Sequence, residues 1–392
     1  MRTFIEPPPA SSNALLQLWN RIAARREIVA RMRPRLRHPR AYWNWAVANW
    51  EWRTKAARIT ARPLKLTIDP TNACHLRCPL CPTGRRELDR PPGHLSPALF
   101  QRLLEETAGT LFFIDFFNWG EPLLNPHTEE LIAMAATKGI VCAMSTNLSL
   151  PLSDARIHHL ITSGLHEIIV SLDGATAESY TQYRKGGDLD LVCANIQKLV
   201  AEKHRLGVTA PLITWQFLVF RHNEHEQQLA REMAQKWGVD RISFRAPMLD
   251  IDSPDLPPPD RDSLLAWAPD DQTFRVKYKR PTACSWHYMS AAINWDGSVA
   301  PCCGVHNKQD DFGALTEAPY MDVVNNPVYQ SARAASPTGR ACDACPVPGI
   351  KDYHRHLNRQ IAIHTAATLW NCIFSRQANT LANPTIPRYR ES

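Results

Sequence analysis

The chain has 392 residues, 44% of them apolar, 8% aromatic and 21% charged, with a formal net charge of +7. That length supports two or three domains and a sizeable core, and the mixture excludes a disordered or collagen-like chain. The N-terminal MRTFIEPPPASSNALLQLWN has no apolar signal-peptide core, and no apolar run reaches the roughly 20 residues of a spanning helix, so the expected location is cytoplasmic.

In chain order, residues 1–62 come first and carry 13 Lys/Arg against 3 Asp/Glu, a net of +10, which leaves −3 for the remainder (7 − 10). They include RMRPRLRHPR at 31–40 and the aromatic run YWNWAVANWEW at 42–52. A helical extension is expected. Its tryptophans either pack on the main domain with the arginines solvated, or they meet a membrane periphery or an acidic partner. A nucleic-acid role has only this charge behind it.

Residues 63–250 alternate β-rich runs with helical stretches. The expected strands are LKLTID (64–69), LFFIDFF (111–117), IVCAMS (140–145), EIIVSL (167–172), TWQFLVF (214–220) and RISFRA (241–246). Ser96 and Pro97 form an N-cap and first-turn pair for one intervening helix, and Gly139 closes another. Such alternation predicts an α/β fold with a parallel sheet and right-handed crossovers, here six units of a partial (β/α)6 barrel. Functional residues of barrels gather at the C-terminal strand ends. There this chain places Cys74, Cys78 and Cys81, then Gly120 and Glu121, Asn147, Asp173 and Asn223.

Residues 251–281, with DSPDLPPPDRDS, read as a Pro/Asp-rich linker. Residues 282–347 form a smaller cysteine-bearing module, and 348–392 a helical C-terminal tail. Eleven cysteines are distributed unevenly. In a chain without an export signal their clustering favours metal ligation over disulfides. Cys142, Cys193 and Cys372 stand alone and read as inert core thiols.

CHLRCPLC, Cys74 to Cys81, has the spacing C-x3-C-x2-C and no fourth cysteine nearby. An iron–sulfur cube held by three thiolates keeps one iron open to a small chelating molecule. With Leu80 before the last cysteine and a strand before the first, the stretch resembles the signature of the radical SAM superfamily. NWGEPLLNP resembles that family's Gly-Glu-Pro segment, with Trp119 where glycine is more frequent. The resemblance implies a [4Fe–4S] cluster on Cys74, Cys78 and Cys81 whose open iron takes S-adenosylmethionine. Trp119, Gly120, Glu121, Ser145, Asn147, Ser171, Asp173 and Arg184 would surround that cofactor, with FLVFRHNEHE (217–226) framing the adenine. Residue by residue, Glu121 also fits a helix-start acid and Asp173 a turn residue.

Further on, twelve residues separate Cys284 from Gly297 and four separate Gly297 from Cys302, with Cys342 and Cys345 as a later CxxC. Four such thiolates complete a closed [4Fe–4S] site, although a CxxC pair also suits zinc. NWDGS reads as a hairpin turn bringing Cys284 and Cys302 together. The arrangement resembles the SPASM or twitch extension, which implies one auxiliary [4Fe–4S] cluster, since the cysteines are too few for two. Cys303 is either a hydrogen-atom donor or a buried thiol.

The resemblance implies reductive cleavage of S-adenosylmethionine to a 5′-deoxyadenosyl radical, which abstracts a substrate hydrogen. The expected outcome is oxidation of a small molecule or sugar, with the auxiliary cluster accepting an electron and a flavodoxin or ferredoxin as donor. The alternatives are a redox-neutral epimerase or rearrangement enzyme, and a peptide- or protein-modifying maturase.

Overall fold

A computed structural model describes residues 39–245, 284–334 and 357–362. Residues 1–38, the expected linker, nearly all of the tail, and Cys342, Cys345 and Cys372 lie outside the described residues.

Six strands follow in chain order: β1 Lys65–Ile68, β2 Phe113–Phe116, β3 Val141–Thr146, β4 Glu167–Ser171, β5 Leu212–Leu218 and β6 Arg241–Arg245. All neighbours pair in parallel. A parallel sheet is covered on both faces, so its strands are rich in apolar residues: Leu66, Ile68, Ile114, Phe116, Ile168, Val170, Trp215 and Phe217 are all fully buried. β3 instead alternates. Cys142, Met144 and Thr146 are buried, while Val141, Ala143 and Ser145 on the opposite face are only half-buried.

The crossovers are helices whose ends the sequence signals. Ser96 caps Pro97–Thr107 by accepting a hydrogen bond from Leu99 N at 3.2 Å, with Pro97 in the first turn. The helix Thr128–Thr137 stops beside Gly139 at φ +74°, a backbone that side-chain-bearing residues rarely adopt.

Two further strands extend this sheet. β7 Ser290–Ile293 pairs in parallel with β1, from Lys65↔Ser290 to Ile68↔Ile293, and β8 Val299–Ala300 pairs antiparallel with β7. Among the described residues the order is β6-β5-β4-β3-β2-β1-β7-β8, with β6 and β8 at the two edges. The turn expected at NWDGS is present between β7 and β8, with Gly297 at φ +83°. The cysteine-bearing hairpin is thus the continuation of the main sheet. SAAI is too short and small-sided to announce itself as a strand, so its parallel partner in β1 was not foreseen.

A buried ion network locks that hairpin to the barrel. Arg90, 3% exposed, donates to Asp296 and Asp311 at 2.5 Å each and to Ser298 Oγ at 2.7 Å. Trp295 Nε1 donates to the Pro91 carbonyl, and the amides of Lys308 and Gln309 both donate to Asp89.

The expected helix of the N-terminal segment is seen at Pro39–Thr54. Ala41 and Ala48 on its inner face allow close approach, and Asn44 exchanges hydrogen bonds with the Arg62 backbone at 2.8 and 2.9 Å. Glu51 accepts from Thr60 N, Thr60 Oγ1 and Ala61 N. Its tryptophans divide: Trp45 and Trp52 pack against the core, whereas Trp43 and Trp50 face outward. Packing of the whole aromatic run was half right.

Candidate active site

The loop after β1 carries the cysteine triplet and is held from several sides. Arg77 N donates to Lys185 O, Cys81 N to Cys78 O, and Arg86 Nη1 to Cys74 O. The short helix Pro82–Arg85 follows at once, and Gly84 lies so near Cys78 that a Cβ would meet its backbone oxygen at 2.4 Å. Cys78 is buried with Leu76, Tyr183 and Phe220, while Cys74, Leu80 and Cys81 flank the same cluster half-buried.

Two polar side chains aim at the sulfurs. Arg184 Nη1 lies 3.8 Å from Cys78 Sγ, and Asn147 Nδ2 lies 3.9 Å from Cys74 Sγ. Burial pushes the Cys74 thiol up to about 12, with the nearby Glu121 carboxylate adding to it, and burial also raises Cys78 against the pull of Arg184. Apolar surroundings hold such thiols protonated, and a bound cationic centre is what draws them to thiolate. Among the described residues no three His, Cys, Asp or Glu side chains converge on a single-ion geometry. Three soft sulfur donors on one loop, with N–H groups directed at the sulfurs, fit a cluster whose sulfurs accept hydrogen bonds.

The segment after β2 lies against the same loop. Gly120 leaves no room for a side chain: a Cβ would sit 1.7 Å from Thr71 O. Its amide and that of Trp119 both approach Asp69 Oδ1 at 3.3 Å. Burial pushes the Asp69 carboxyl up to about 7 despite these two donors. Glu121 uses both oxygens inside the chain, accepting from Thr146 Oγ1 (2.6 Å), Asn147 N (2.7 Å) and Leu123 N (3.1 Å). It caps the turn Pro122–Leu124 and ties the segment to the end of β3, so the helix-start reading holds together with its place at the site.

Asp173 is fully buried. Its Oδ2 accepts from Arg184 Nε and Nη2 at 2.6 Å each, and its Oδ1 accepts from Leu218 N at 2.7 Å. Asp173 thereby holds the guanidinium that faces Cys78. Ser145 Oγ and Ser171 Oγ lie 3.2 Å apart on β3 and β4. Asn223 is buried, spanning Asp173 O, Leu218 O and Phe220 N as a turn residue. On the segment expected to frame an adenine, Phe220 packs its ring on Tyr183 at 4.7 Å and on His222 at 5.3 Å.

Trp119 reaches the second cysteine group. Its Nε1 donates to Val305 O at 3.0 Å, and its ring meets His306 edge-on at 5.3 Å. Cys302 packs among Ala292, Ala300 and Val305, and Gly304 N lies 3.4 Å from its sulfur. Cys284 is buried, and Cys303 is half-buried. Of the lone thiols, Cys142 is fully buried as expected, whereas Cys193 is only half-buried. Sequence reasoning passed over Asp69, which supports the Trp119-Gly120 amides, and His75, which bonds Ser149 O at 2.8 Å inside the cysteine loop.

Residues 68–242 match the family model of the radical SAM superfamily, and residues 284–346 match that of the SPASM iron–sulfur cluster-binding domain. The mycofactocin maturase MftC of Mycobacterium ulcerans (strain Agy99) is 27% identical over 177 residues, 45% of this chain and 46% of the relative. The chain thus spans about half the length of that relative. The PqqA peptide cyclase of Granulibacter bethesdensis is 25% identical over 305 residues, 72% of this chain and 79% of its own. Streptococcus suis SuiB bound to S-adenosylmethionine shares the fold with a TM-score of 0.54 at 15% identity, covering 72% of this chain and 70% of SuiB.

Proposed function

From a chain that carries a radical SAM domain with a SPASM domain C-terminal to it, we propose a radical SAM enzyme that modifies a peptide or protein side chain. The observation that carries the radical reading is the cysteine loop, with three thiols carried on one loop after β1 against a common apolar cluster and the Arg184 and Asn147 N–H groups at two of the sulfurs. The relatives named as a maturase and a peptide cyclase support a peptide substrate above the small molecule or sugar that the sequence favoured.

Cys74, Cys78 and Cys81 would hold the [4Fe–4S] cluster, which would supply the electron for reductive cleavage of S-adenosylmethionine. The chain's own work is placement. Arg184, fixed by Asp173, and Asn147 direct positive N–H density at sulfurs that carry charge when metallated. Asp69 and Glu121 hold the Trp119-Gly120-Glu121 backbone at the rim, so its polar groups meet a ligand without first rearranging. Leu76, Tyr183 and Phe220 exclude water behind Cys78. Cys284 and Cys302, with Cys342 and Cys345, would hold the auxiliary cluster as electron acceptor. A flavodoxin or ferredoxin remains the proposed donor.

The test is anaerobic. Deuterated peptides from a proteome digest, and separately a deuterated sugar mixture, are incubated with reconstituted enzyme, S-adenosylmethionine and dithionite. Deuterium in 5′-deoxyadenosine from the peptide fraction is expected. Transfer from the sugar fraction alone would return the assignment to small-molecule oxidation. A Cys74/Cys78/Cys81→Ala variant should lose all cleavage yet retain the iron and EPR signal of the auxiliary site.

A further inference from the structure

We propose that the helix Pro39–Thr54 docks the protein flat on an anionic lipid surface through Arg40, Trp43, Trp50 and Arg53. These positions are spaced by three, seven and three residues, which puts them on one side of a helix. All four are exposed, Trp43 by 73% and Trp50 by 67%. Nothing in the radical chemistry uses them.

The charge on this face is of one sign because the fold removes the other. Glu51 is the sole acidic side chain of the helix, and it is turned inward and bonded to Thr60 and Ala61. Arg40 and Arg53 bracket the tryptophan pair, and exposed Lys55 and Arg58 follow the helix. The net of +10 over residues 1–62 continues that bias along the chain, whereas the rest of the protein is at −3.

Exposed tryptophans between arginines suit the headgroup layer of a bilayer. Indole rings settle at the boundary of hydrocarbon and water, and guanidinium groups bind lipid phosphate. Seven residues separate the two rings by about 10 Å along the axis, so both enter together only if the helix lies parallel to the surface. Lying on the surface is also the sole option for this element, since no described helix is long and apolar enough to cross a membrane.

The experiment is vesicle flotation of the full-length protein at low and high salt. Vesicles are of phosphatidylcholine alone or mixed with phosphatidylglycerol. Two variants accompany it, Trp43→Ser/Trp50→Ser and Arg40→Glu/Arg53→Glu. Neither touches the cysteine loop, so thermal unfolding and basal 5′-deoxyadenosine formation should match wild type. Wild type should float with anionic vesicles, lose that binding in high salt, and ignore neutral ones. Each variant should bind about tenfold more weakly or worse. Failure of wild type to bind anionic vesicles overturns the proposal, and binding then to immobilised polyglutamate through the same residues would assign the face to an acidic protein. Unchanged flotation of both variants would also overturn it, by placing the contact elsewhere in the chain.

Discussion

At Gly120 the limit on sequence is steric, because a methyl group would occupy the position of Thr71 O, 1.7 Å away. Gly120→Ala forces the Thr71 carbonyl and the Trp119-Gly120 backbone apart, breaking both amide contacts to Asp69. We expect a loss of about 2–3 kcal/mol in denaturant titration and little or no S-adenosylmethionine cleavage. A variant of wild-type stability and activity would show that the approach is not so close. Asp173→Asn is nearly isosteric but leaves the buried Arg184 without its carboxylate, which costs about 3–5 kcal/mol for a buried pair. Its specific signature is an altered EPR spectrum of the first cluster, and a stability loss with an unchanged spectrum would deny Arg184 its place beside the sulfur. At this scale the sequence was most legible where chemistry is local. The cysteine triplet and the Gly-Glu-Pro segment are contiguous, so residue type and spacing carry them. Asp173 was legible as a strand-end residue, but its partners Arg184 and Leu218 were not, because tertiary packing sets them and not neighbours in the chain.

At the scale of elements the decisive contact is that of β7 with β1, since it makes one sheet of what composition divides into a barrel and a separate module. The alternation of β and α identified β1 to β6 because each strand is a recognisable apolar run between helical stretches. It missed β7, whose four residues are stabilised by a partner more than two hundred positions earlier. Arg90 is equally silent in sequence: its carboxylates lie 206 and 221 residues away. Replacing it by Met keeps much of the volume but strands Asp296 and Asp311 with no cation, worth about 3–5 kcal/mol. The expected result is local. Hydrogen exchange should quicken at Ser290–Ile293 and Val299–Ala300 and stay slow in β3 and β4. Uniform acceleration across the sheet would mean that hairpin and barrel open as one unit.

For the whole molecule the acid limit of stability can be argued from one side chain. His287 is buried in the short helix Trp286–Met289 at 4% exposure. Its ring lies against Phe312 and Tyr329, and Nδ1 has no hydrogen-bond partner. Among the described residues Tyr329 lies against the ring and Arg333 is the charge that acts on it, with Arg333 Nε donating to the His287 carbonyl. Burial, with the Arg333 charge adding to it, drives the imidazole from its usual 6.5 down to about 4. The folded protein therefore holds His287 neutral where the unfolded chain takes a proton. Stability from this site is complete above pH 6.5, falls as the pH drops from 6.5 towards 4, and changes no further below that. A difference of that size is worth about 3 kcal/mol over the window. His287→Phe keeps an aromatic ring and removes the titration. Denaturant midpoints measured between about pH 7 and pH 5 should fall more steeply for wild type than for the variant, by about 2 kcal/mol over that range. Carboxylates contribute equally to both proteins and cancel in the comparison. Parallel slopes would mean that His287 takes up its proton in the fold as readily as in the unfolded chain, and that neither burial nor Arg333 holds it neutral.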